Sequence, residues 1–106
     1  MPERDQVSAV AERFGENLRR VRKREDLSQE RLAKLASLHR TEIGFLEKGE
    51  RVCRIDTLIR LAGAMAVPPG ELLEGIDWVP GPETDGTFAV GPGLISPRPA
   101  RDEPGR

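Results

Sequence analysis

An all-α fold of five helices followed by a Pro/Gly-rich tail is what this sequence predicts, and three observations carry it. Apolar residues recur at helical spacing: Val7, Val10, Ala11 and Phe14 fall at i, i+3, i+4 and i+7, and Leu18 and Val21 continue the stripe. The stretch from Ser28 to Gly49 reads as two short helices joined by a tight turn. With one Trp, three Phe and no Tyr, the core must be built mainly from Leu, Val, Ile and Ala. A chain of 106 residues allows one domain and little more.

The elements follow in order. Residues 1–13 form an N-terminal extension leading into the first helix, which begins near Asp5 and runs to about Arg24. Gly15 weakens that helix by about 1 kcal/mol relative to Ala. Ser28 is a good N-cap for helix two, Gln29 to Ala36; Arg31 is not the Glu or Gln of a capping box, so the cap is plain. Leu32, Leu35 and Ala36 form its apolar face, and Ser37-Leu38 breaks the run. Helix three, Arg40 to Lys48, buries Ile43 and Leu46 and stops at Gly49, which ends helices cheaply in the left-handed conformation. Helix four starts at Asp56 or its neighbour and buries Leu58, Leu61, Ala62 and Met65. Val67-Pro68-Pro69-Gly70 turns the chain into a short fifth helix, Glu71 to Gly75, with Leu72, Leu73 and Ile76 apolar. The domain therefore spans residues 14–78. The 29 residues from Trp78 to Arg106 hold 6 Pro and 5 Gly, a composition that reads as disordered, so residues 79–106 are expected to be a flexible tail. Within it, Thr87 to Val90 is the one piece that could make a short extended contact.

A helix–turn–helix presents its second helix to the DNA major groove. The exposed positions of that helix are His39, Arg40, Thr41, Glu42, Phe45 and Lys48. Arg40 and Thr41 stand at its start, the end that approaches base edges. Arg offers a fork to guanine O6 and N7, and Thr a hydroxyl or a methyl to thymine. Phe45 faces the same side one turn on, and packs on a thymine methyl, on the sugar–phosphate wall, or inward against the first helix. Arg40, Thr41, Glu42 and Phe45 are the base-reading candidates. Arg22, Lys48, Arg51 and Arg54 flank the groove as phosphate contacts, which position a protein and carry little sequence information. His39, the only histidine, has no metal-ligand spacing around it and is either a phosphate contact or a turn residue. Glu47 is acceptor-only, a poor partner for phosphate, and is expected to tether the end of helix three.

These segments resemble the phage-repressor/Cro-like helix–turn–helix family, also called the xenobiotic-response-element family. The resemblance covers Phe14 to Ile76. It rests on Leu18-Arg19-Arg20-Val21-Arg22, on Leu27-Ser28-Gln29-Glu30-Arg31-Leu32-Ala33, on Ile43-Gly44-Phe45-Leu46-Glu47-Lys48-Gly49 and on Thr57-Leu58-Ile59-Arg60-Leu61-Ala62. It implies a five-helix, lambda-repressor-like domain that usually works as a dimer on a palindromic operator. It also implies base reading at Arg40 and Thr41, and a phosphate at Ser28 and Gln29, where a helix N-terminus offers free amide hydrogens and a positive dipole end. Two positions depart from the pattern. Ser37 stands where the turn most often has Gly, so a left-handed residue there costs some stability. Cys53 stands where Pro is usual, and reads as a half-buried loop filler.

The formal net charge is −1, yet the charge is uneven. Phe14 to Arg54 carries 11 Lys/Arg against 7 Asp/Glu, a local balance of +4, while Ile55 to Trp78 sets Arg60 against four acidic residues. The basic charge thus lies where a phosphate-contacting surface should be. No Gly-rich phosphate loop, His-containing triad or close carboxylate pair is present, so no enzyme activity and no cofactor are expected. No apolar run is long enough for a membrane span, the N-terminus has no secretory h-region, and a single Cys fits a reducing cytosol. The expected function is a sequence-specific transcriptional regulator, a repressor, binding double-stranded DNA as a homodimer through Leu73, Ile76 and Trp78. The alternatives are a restriction–modification controller or an antitoxin of the same fold, the latter ordering its tail on a protein partner, or an interaction module that does not read DNA.

Overall fold

Four α-helices form where the apolar spacing places them. The computed structural model describes residues 4–91, in which α1 spans Arg4–Arg24, α2 Gln29–Ala36, α3 Arg40–Glu47 and α4 Ile55–Met65. The Phe14–Leu18–Val21 stripe of α1 is buried against Leu32 and Ala36 of α2, Ile43 and Leu46 of α3, and Leu61 and Met65 of α4. Two apolar expectations shift at the edge of this core. Leu35 is exposed, because Ala33 takes the buried side of α2, and Leu58 is half-buried at the core's rim.

Helix ends are set by backbone geometry more than by side-chain caps. Ser28 does cap α2, its Oγ accepting the Arg31 N–H at 3.0 Å. At the other end Ser37 is left-handed (φ 58°), with Leu38 N–H donating to Ala33 O at 2.8 Å and Ser37 N–H to Lys34 O at 3.3 Å. That paired closure recurs after α1 at Asp26 (φ 61°) and after α4 at Ala66 (φ 59°), residues with a Cβ in a conformation that favours glycine. Of the four α-helix ends only that of α3 meets the demand cheaply, with Gly49 (φ 73°), where a Cβ would also strike Glu12 of α1.

Beyond α4 the fold departs from expectation. The fifth α-helix is replaced by a 3₁₀ helix, Pro69–Leu73. Pro68 and Pro69 supply no amide hydrogens, and five residues are too few to offset helix nucleation, so a single tight turn suffices to bury Leu72. The chain then forms β1, Ile76–Val79, paired antiparallel with β2, Thr87–Val90, in the register Ile76↔Val90 and Trp78↔Phe88. The molecule is therefore helical with a small hairpin, not all-α with five helices. Residues 79–91, expected within a flexible tail offered as a whole to a further partner, hold defined places; residues 92–106, the remainder of that tail, lie outside the described residues.

A polar stripe on α1 seats the hairpin. Buried Asn17 donates through Nδ2 to Leu72 O at 3.0 Å and Glu74 O at 2.8 Å. One turn earlier, Arg13 donates from Nε to Glu74 O at 3.1 Å and from Nη1 to Gly91 O. Arg20 pairs with Glu74 at 2.8 Å. Trp78 and Phe88 meet edge to face, ring centroids 5.0 Å apart.

Exposed left-handed residues carry strain without packing to compensate it, so Ser37→Gly and Ala66→Gly are each expected to stabilise the fold by about 1 kcal/mol. Urea denaturation measures this; an unchanged or lowered midpoint would show the closures to be unstrained.

Candidate nucleic-acid interface

The outward face of α3 is defined by what its inward face must do. Ile43 and Leu46 are buried, which turns Arg40, Thr41, Gly44, Phe45 and Lys48 outward at helical spacing. With Gln29 from the start of α2 these residues line one shallow concavity of about 410 Å³. His39 is the exposed N-cap of α3 and makes no side-chain capping bond, so its side chain leaves the first amides of α3 uncapped.

The orientation of this face is held by a buried ion pair. Arg22 of α1 grips Glu47 at the end of α3 with two parallel bonds, Nε to Oε2 at 2.5 Å and Nη2 to Oε1 at 3.0 Å. Its Nη1 donates to Leu27 O at 2.8 Å, closing the α1–α2 loop. Gln29 Nε2 donates to the same Glu47 carboxylate at 3.0 Å, so α1, α2 and α3 converge on one acceptor. The two charged side chains are only 10% and 5% exposed. Glu47 thus ties down α3, as expected, but Arg22 does not stand on the outer surface where the sequence reading put it. Its guanidinium is fully committed inside.

The other basic residues divide by how tightly they are engaged. Arg40 meets Glu30 at 3.0 Å, but the two side chains are 60% and 68% exposed, and such a pair is readily exchanged for a base or a phosphate. Arg51 lies over the Phe45 ring, its Cζ 4.3 Å from the centroid, a cation–π contact that holds the ring on the outer face. Arg54 stands at the N-cap position of α4 without a side-chain capping bond and pairs with Asp56 at 3.1 Å. Lys48 is exposed.

Glu42 sits apart from the concavity, on the flank of α3 toward the loop that holds Cys53. There it adds to the effect of burial, which is the larger cause, in pushing the Cys53 thiol up to about 12; Asp56 contributes too. Cys53 is half-buried and stays a neutral thiol at physiological pH. No group of three His, Cys, Asp or Glu able to hold a metal ion occurs among the described residues. The sequence reading missed Gly44 at the centre of the outer face. Its spacing, midway between Arg40 and Lys48 at four residues each way, was the available signal.

Comparison with known proteins bears on this arrangement. Residues 18–72 match the helix-turn-helix family model, which ends before the hairpin begins. Over 64 residues the chain is 44% identical to the control protein C.SmaI of Serratia marcescens, covering 60% of this chain and 76% of that protein. It is 37% identical over 62 residues to the control protein C.BamHI of Bacillus amyloliquefaciens, covering 58% and 76% respectively. The crystal structure of the restriction-modification controller protein C.AhdI of Aeromonas hydrophila superposes with a TM-score of 0.57 at 39% identity, covering 58% of this chain and 94% of that one.

The committed state of Arg22 sets an expected outcome. Arg22→Ala leaves Glu47 buried with Gln29 as its remaining side-chain partner among the described residues, and removing one member of a buried pair costs about 3–5 kcal/mol. Urea unfolding measures the loss; a cost below about 1 kcal/mol, in the range of exposed pairs, would show that the pair does not hold the fold.

Proposed function

We propose that this chain, which belongs to the helix-turn-helix family of DNA-binding regulators, is a repressor that works as a homodimer and reads its operator with the outer face of α3. The observation that carries this reading is the concave face itself. Arg40, Thr41, Phe45 and Lys48 converge on it beside the N-terminus of α2, and buried Arg22 and Glu47 hold it in place. Arg40 and Thr41 read base edges, with Phe45 beside them. Ser28, Gln29, His39, Lys48, Arg51 and Arg54 serve the phosphates on either side, and Glu42 lines the flank. The likeness to C.SmaI, C.BamHI and C.AhdI favours one role within this class, that of a restriction–modification controller. No described helix is long and apolar enough to cross a membrane.

One such domain reads only a few base pairs, so useful specificity calls for two half-sites about one helical turn, ~34 Å, apart. Trp78 is engaged with Phe88 inside its own hairpin, and Ile76 packs against the core. Ile55, Ile59 and Gly63 instead recur every four residues along one outward stripe of α4, with Leu35 beside it. Ile55 is 76% exposed and Ile59 58%. Burying an aliphatic side chain of this size is worth about 1.5–3 kcal/mol, and a second copy supplies the cover. The pairing surface proposed here is therefore the α4 stripe, in place of Leu73, Ile76 and Trp78.

Two measurements test these readings. On duplexes enriched by the protein from a randomised pool, Arg40→Ala is expected to lose about 1–3 kcal/mol while binding to scrambled duplexes changes far less. Lys48→Ala is expected to weaken both alike and to lower the salt slope by about one. Equal losses for Arg40→Ala on both duplexes would reduce Arg40 to a phosphate contact. In sedimentation, Ile59→Asp is expected to run as a folded monomer and Trp78→Ala as a dimer; the reverse pattern would return the interface to the hairpin.

A further inference from the structure

Gly44 stands at the centre of the outer face of α3, one turn from both Arg40 and Lys48, and it is the one position there without a side chain. Glycine inside a helix is costly relative to alanine, and close packing is the usual reason to keep it. Gly15 of α1 shows that reason: a Cβ there would meet the carbonyl oxygens of Leu46 and Glu47, where α1 crosses the end of α3. Gly44 has no such neighbour. Apart from its chain neighbours Ile43 and Phe45 and the backbone of α3 itself, no atom lies within 4 Å of the place its Cβ would take. Gly63, the other α-helical glycine so placed, lies on the α4 stripe proposed above for pairing, and Gly70, equally open, sits in the 3₁₀ turn. The gap at Gly44 faces outward, and Thr41, Phe45 and Lys48 wall it.

One wall is apolar among charged and polar groups. The Phe45 ring is half-buried and held by the Arg51 guanidinium. A ring forms no hydrogen bond to a base edge, so it selects by apolar contact. In the major groove the apolar group on offer is the C5-methyl of thymine. We propose that the notch at Gly44 and the ring of Phe45 together form a receptor for a thymine methyl, resting on the reading of α3 as the helix that enters the major groove. The missing side chain lets the backbone of α3 come within reach of the base, and the ring then covers the methyl. Arg51 keeps the ring turned outward while its charge faces the phosphates.

Duplexes enriched from a randomised pool by the wild-type chain provide the probe, assayed by gel shift with each thymine replaced in turn by uracil, which lacks only the methyl. Wild type is expected to lose about fourfold in affinity at one thymine per half-site, and Phe45→Ala to show no loss at that position. Gly44→Ala is expected to raise the urea midpoint, since alanine is the better helix former, yet to weaken the enriched duplex about tenfold or more with the scrambled duplex unchanged. Opposite signs for stability and affinity separate a receptor from a merely structural glycine. Failure to enrich any duplex would overturn the DNA-reading proposal itself. Enrichment with uracil silent at every position, a uracil loss that persists in Phe45→Ala, or a Gly44→Ala chain that binds like wild type would overturn the receptor alone.

Discussion

The carboxylate of Glu47 is the point on which the rest of this structure turns. It receives Arg22 from α1 and Gln29 from α2 while sitting on the last turn of α3, so three helices share one acceptor. A buried ion pair adds little net stability over apolar packing, because desolvating both charges offsets most of their attraction. Its effect here is on direction. The apolar contacts of Ile43 and Leu46 would tolerate a range of rotations of an eight-residue helix, whereas a two-bond guanidinium–carboxylate pair accepts few. The outward face of α3 is thereby fixed relative to α1 and to the N-terminus of α2.

The same comparison of engagement decides which cations are free to act. Arg22 and Arg40 both lie near a glutamate, but one pair is sealed and the other open to water. Water screening leaves the Arg40–Glu30 pair worth under about 1 kcal/mol, small against the 1–3 kcal/mol of a good bidentate base contact. In the proposed base-reading role Arg40 would gain by leaving Glu30, whereas Arg22 would lose by leaving Glu47. Charge counting along the sequence treats the two alike; burial separates them.

On its other side α1 organises the C-terminal part of the molecule. Arg13, Asn17 and Arg20 lie on one helical stripe and satisfy backbone carbonyls of Leu72, Glu74 and Gly91 as well as the Glu74 carboxylate. Those carbonyls would otherwise end unpaired against the body of the helix, at a cost of about 1–3 kcal/mol each if buried. A 3₁₀ turn thus stands where a fifth helix was expected and the hairpin closes the fold after it, leaving the outer stripe of α4 exposed.

What the sequence by itself determined was whatever depends on neighbours a few residues apart. The four α-helices start and stop within a residue or so of expectation, because apolar periodicity, the Ser28 cap and Gly49 act within one or two turns. The outward set of α3 followed from the buried spacing of Ile43 and Leu46, and the tethering role of Glu47 from its chemistry. Tertiary structure alone decided the rest. Arg22 turns inward because Glu47, 25 residues away, is brought beside it. Leu35 is left outside because the core accepts Ala33 instead. Gly15 and Gly44 look alike along the chain, yet one lies under a crossing helix and the other under open space. The hairpin needed Asn17 to meet carbonyls some 55 residues on and Trp78 to meet Phe88, contacts with no trace in local periodicity. Local spacing specifies a helix because its hydrogen bonds close within four residues; which charges, gaps and edges face each other is set only when the helices pack.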